Sequence, residues 1–87
     1  MDLILAMSLA GHDKGQIYVV VGQSQDFMLL ANGTTKPLAK PKRKKAIHLQ
    51  LIKRLPEEIR LESKDKELDD LTIKRILKCF NRRKENV

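Results

Sequence analysis

The stretch MSLAGHDKGQIYVVVG, residues 7–22, constrains the chain more than any other. Two apolar runs meet there at a turn in which Gly11 and Gly15 bracket His12, Asp13 and Lys14. Glycine reaches positive φ without steric cost, so a tight exposed loop between two antiparallel strands satisfies the pattern. Upstream, Leu3, Leu5, Met7 and Leu9 recur with period two and predict a first strand over residues 3–9. Downstream, Ile17, Tyr18, Val19, Val20 and Val21 suit a pleated surface, and their continuous apolar run predicts a well-buried second strand over residues 16–21. Lys14 stands at the tip of this hairpin.

Gly22 and the polar residues 23–26 end the second strand, and FMLLA, residues 27–31, begins a third. Asn32-Gly33 is a signal for a two-residue type I′ turn. The fourth strand is therefore expected over residues 34–38, short because Pro37 cannot donate to a ladder. Residues 39–45, AKPKRKK, set Pro41 among lysines and read as an extended, solvated connection. Residues 46–52 alternate again, with Ile47, Leu49 and Leu51 on one side and His48 and Gln50 on the other, and read as a fifth strand. Five short strands within about fifty residues fit a mainly β fold, a small half-open SH3-like barrel over residues 1–55.

Pro56 before Glu57 and Glu58 is a helix start within a charged linker, residues 56–68, with proline at the first helical position. Residues 69–83 predict an amphipathic helix in the C-terminal segment 69–87. Asp69 or Asp70 can cap it, Leu71, Ile73, Ile76, Leu77 and Phe80 form its apolar stripe, and Asn81, Arg82 and Arg83 close it. Such a stripe reads as packing on its own domain rather than on a partner.

Charge is distributed unevenly. The 87 residues carry a net +7, but residues 1–35 hold one basic and three acidic groups, and residues 55–87 hold nine and eight. Residues 36–54 hold eight basic groups (Lys36, Lys40, Lys42, Arg43, Lys44, Lys45, Lys53 and Arg54) and no acid. A one-sign segment of this kind points to a polyanion, and lysine and arginine neutralise phosphates with release of counterions. A membrane surface fits less well, because KPKRKK has no apolar anchor within it. Tyr18, Phe27 and Phe80 are the only aromatic residues. They do not make the base-stacking platform of the common single-strand binders, so contact with backbone and shape is expected.

The hairpin Gly11-His12-Asp13-Lys14-Gly15, flanked by strands, resembles the KOW motif of RNA-binding and ribosome-associated proteins. Together with LLANGTTKPLAKPKRKKAIHLQ, the first 55 or so residues resemble the small bacterial KOW-domain proteins related to large-subunit ribosomal proteins of archaeal and eukaryotic type. Gly11, Lys14 and Gly15 match the motif, whereas Tyr18 stands where its further glycine is common. The resemblance implies an SH3-like barrel and an RNA partner, commonly ribosomal.

The expected interface comprises His12, Lys14, Lys36, Lys40, Lys42, Arg43, Lys44, Lys45, Lys53 and Arg54, with Gly11, Gly15, Asn32 and Gly33 as turn residues. Catalysis is not expected, since no nucleophile, base and orienting group can be assembled from these residues; His12 reads as a turn residue or an RNA contact. His12, His48 and Cys79 occur singly, without zinc-ligand spacing, so neither metal nor cofactor is expected. One cysteine permits no internal disulfide, and residues 1–10 lack a basic region and a long apolar run. Both point to a cytoplasmic protein. The charge and the resemblance imply RNA, with ribosomal proteins beside it, as the partners of a chain expected to be monomeric when free. The rival reading is a protein-interaction module of the transcription or translation machinery.

Overall fold

The computed structural model describes residues 3–63 and 67–85. Strands β1 (Leu5–Ser8), β2 (Ile17–Ser24), β3 (Phe27–Ala31), β4 (Lys42–Lys45) and β5 (Leu49–Ile52) precede helices α1 (Glu57–Ser63) and α2 (Asp70–Glu85). The strands form one antiparallel sheet in the order β4-β3-β2-β1-β5. The fold is thus mainly β with C-terminal helices, and the ladder is open between β4 and β5 rather than closed into a barrel.

Both faces of the sheet are apolar. On one, Leu5, Val19 and Ala31 pack with Ile59 of α1 and Ile73, Ile76 and Leu77 of α2. The other carries Ala6, Tyr18, Leu30 and Leu49, with Val20, Met28 and Leu51 against them. Among the described residues this second cluster is drawn entirely from strands. The register shift between Val20 and Gly22 bends β2, and a bulge of this kind increases twist, which lets the sheet curl over its own face.

Several sequence expectations are corrected. The two-residue turn forms at Gln25 and Asp26, between the paired residues Ser24 and Phe27, because β2 runs on beyond its bulge. Gln25 has φ 54 there. Asn32-Gly33 instead opens a long loop in which Asn32 Oδ1 accepts hydrogen bonds from the backbone N–H of Thr34 (3.0 Å) and Lys36 (2.9 Å). That asparagine-centred turn satisfies the backbone without a ladder, so residues 34–38 form no strand. The fourth strand is the lysine-rich segment itself, and the fifth starts only at Leu49, after a 3₁₀ turn, Ala46–His48.

The helices are nearer to expectation. Pro56 stands one residue before α1, and its carbonyl accepts from the N–H of Ile59 and Arg60. Part of the charged linker is therefore helical, and residues 64–66 of it lie outside the described residues. Asp69 caps α2 by accepting from Thr72 N–H at 2.7 Å. Ile73, Ile76 and Leu77 are buried as the stripe requires, but Leu71 is exposed and Thr72 takes the inward position.

Gly33, at φ 79, lies so close to the start of α2 that an added Cβ would stand 2.5 Å from the Asp70 carbonyl oxygen. Asp70 in turn accepts from Leu38 N–H at 2.9 Å, which ties the same loop to the helix. Gly33→Ala combines left-handed backbone strain with that overlap and is expected to cost about 2–3 kcal/mol. A melting temperature lower by about 10 °C would register it; an unshifted melt would mean the loop does not press on α2.

Candidate nucleic-acid interface

The β1–β2 turn is held by its own backbone. Ser8 N–H donates to Gln16 O (2.9 Å), Gly15 N–H to Ser8 O (2.8 Å) and Gln16 N–H to Asp13 O (2.9 Å). Gly11 and Gly15 adopt φ 88 and 90, the conformation that favours glycine at both ends. His12 and Lys14 project into solvent from this frame, whereas Asp13 turns inward and is only 8% exposed.

Asp13 organises the site. Its Oδ1 accepts from Ser8 Oγ and Lys44 Nζ, both at 2.9 Å, and its Oδ2 accepts from Tyr18 Oη at 2.7 Å and Lys42 Nζ at 2.8 Å. Lys44 Nζ also donates to Ala10 O at 2.8 Å. Period-two alternation along β4 places Lys42 and Lys44 on the inner face, with side chains 30% and 12% exposed, and leaves Arg43 and Lys45 on the outer face. Two ion pairs thus draw the β4 edge against the β1–β2 turn where no backbone ladder joins them.

Burial alone would raise the Asp13 pKa. The hydrogen bonds from Lys42 and Lys44, then Tyr18 and Ser8, outweigh it and hold the carboxyl well below its ordinary 3.8. Burial first, and then the bond to the Asp13 charge, push the Tyr18 hydroxyl above its ordinary 10.0. A depressed carboxyl pKa stabilises the fold above pH 3.8 and loses that contribution as pH falls below it; a raised phenol pKa contributes below pH 10.0 and is lost as pH rises past it. Tyr18 is the only tyrosine and there is no tryptophan, so tyrosinate absorbance reads this group alone. It is expected to stay un-ionised above pH 10.0 and to ionise together with unfolding. Ionisation at the free-tyrosine pKa with the fold intact would contradict the buried bond.

The predicted interface therefore divides. Lys42 and Lys44 belong to the internal network, and Arg43 lies over the Phe27 ring at 4.4 Å from its centroid. Lys14, Lys40, Lys45, Lys53 and Arg54 are exposed and have no side-chain hydrogen bond or ion pair among the described residues. Lys36 sits on the Asn32 loop, and Lys53 and Arg54 follow Ile52, which pairs with Leu5 at the end of β1 away from the turn. The hairpin, β4 and the 3₁₀ turn are brought together; Lys36, Lys53 and Arg54 flank them at separate places.

Sequence reasoning missed Ser8, Tyr18 and the inward role of Asp13. Tyr18 supplies the shortest hydrogen bond to Asp13. Asp13 is the one acid in the turn that faces an all-basic segment, and that pairing was the available signal.

Among the described residues no group of three or more His, Cys, Asp or Glu side chains converges as a metal site, and no helix is long and apolar enough to cross a membrane. No protein-family model matches the chain, and no curated protein matches it.

Proposed function

We propose that this is a non-catalytic RNA-binding protein, ribosome-associated, that grips the phosphate backbone of structured RNA through its outward cations, some beside the GHDKG hairpin and two, Lys53 and Arg54, at the far end of β1. The observation that carries this reading is the sorting of charge: the one acid of the turn is directed inward and neutralised by Lys42 and Lys44, while Lys14, Lys40, Lys45, Lys53 and Arg54 remain free at the surface. The resemblance of GHDKG and its flanking strands to the KOW motif supports the same partner. The meander in which β5 returns to pair with β1 supports an SH3-like arrangement, completed by the Asp13 ion pairs in place of a ladder.

Backbone recognition makes affinity depend on salt. Four or five phosphate contacts give a slope of log K against log salt of about −3 to −4.5. Titrating a folded ribosomal RNA fragment with the protein at several salt concentrations measures it, and a slope near zero, or no binding at low salt, would refute the reading.

A further inference from the structure

Ile47 is 79% exposed, although the alternation of residues 46–52 assigns it to the same buried side as Leu49 and Leu51. The 3₁₀ turn at Ala46–His48 breaks the alternation and presents the side chain to solvent. The turn is pinned at both ends: Ala46 N–H donates to Asp26 O at 2.9 Å, and His48 O accepts from Leu9 N–H at 2.9 Å. The second bond joins His48 to Leu9, itself 43% exposed, at the root of the hairpin loop that carries His12 and Lys14. The result is an exposed apolar side chain between Lys45 and His48, in a segment, residues 36–54, that has no acid of its own, although the exposed Asp26 adjoins Ala46 through its backbone carbonyl.

We infer that Ile47 is a wedge that enters an interrupted base stack, a bulge or internal loop, of the RNA held by the cations of its segment. This rests on the RNA-binding reading above. Apolar side chains among cations are the means by which proteins separate neighbouring bases, and the step yields most readily where stacking is already broken. An apolar pocket on a protein would have to accept the Lys45 ammonium along with the isoleucine, and residues 36–54 hold eight basic groups and no acid, so the charge of the segment favours a polyanion. Cations alone do not distinguish a bulged stem from a continuous one; the wedge does.

The test uses two RNA hairpins of equal length, one with an uninterrupted stem and one with a single bulged nucleotide. The wild-type protein is expected to prefer the bulged RNA by roughly tenfold, the scale of burying one isoleucine side chain. Ile47→Gln is expected to remove the preference without changing the salt slope or the melting temperature, and Ile47→Leu to retain it. Equal binding of both RNAs by the wild type, or an undiminished preference in Ile47→Gln, would overturn the wedge and leave the backbone reading standing, with Ile47 then free for a protein partner. Failure of the wild type to bind either RNA at low salt would overturn both.

Discussion

Asp13→Ala is expected to lower the unfolding free energy by about 3–5 kcal/mol, the cost of removing one member of a buried ion-paired network. For 87 residues the whole stability is on the order of 4–13 kcal/mol, so the variant stands near the edge of folding. The cause is the set of groups left behind: two ammonium groups that lose their counter-charge, and the Tyr18 hydroxyl, which retains only a long contact to Gln16 Oε1 at 3.4 Å. Urea denaturation followed by circular dichroism measures the loss. The combination Asp13→Leu, Tyr18→Phe, Lys42→Met and Lys44→Met removes every charge together and is expected to lie much closer to wild type. If Asp13→Ala unfolds at the wild-type midpoint, the ion pairs do not hold β4 to the hairpin.

The second large effect concerns binding. Replacing Lys14, Lys45, Lys53 and Arg54 by serine is expected to weaken binding to folded RNA by about a hundredfold or more at low salt, and to make the salt slope shallower by about 3. The fold should persist, since none of the four takes part in a side-chain bond among the described residues. Changing Lys42 and Lys44 with Asp13 and Tyr18, as above, should leave the slope nearly as it was. The reverse outcome, with RNA affinity following the inner pair and indifferent to the outer four, would move the interface to the sheet face that carries Lys42 and Lys44 and overturn the assignment to the outer cations.

The contrast between those two sets of lysines shows how far the sequence could be read. KPKRKK announces a polyanion site by composition, but composition does not distinguish lysines aimed at solvent from lysines aimed at an aspartate about thirty residues earlier in the chain. Once the segment is a strand, neighbouring residues must face opposite sides, and the four cations of β4 split into two inner and two outer. A solvated connection was the natural reading because lysine has low β propensity; pairing with β3 and the counter-charge of Asp13 override that preference. Asn32-Gly33 misled for a related reason. The dipeptide satisfies an isolated type I′ turn, but Gly33 is required here for its close approach to Asp70, a contact made only after α2 has docked.

Local pattern alone determined the GHDKG hairpin, the apolar cores of β1 to β3, the start of α1 and an amphipathic α2 capped by Asp69 or Asp70, of which the structure shows Asp69. Each is specified within a few residues by periodicity, glycine φ or a cap. The sequence also determined the concentration of positive charge in residues 36–54, which is a matter of composition. Only the tertiary structure decided which of those cations are available to a partner, that the Tyr18 hydroxyl is directed at Asp13, and that Ile47 lies outside the core. These depend on what a curled sheet places opposite each side chain. A buried carboxylate with four donors around it is a property of that placement, assembled from β1, the turn, β2 and β4, and no single segment of the chain encodes it.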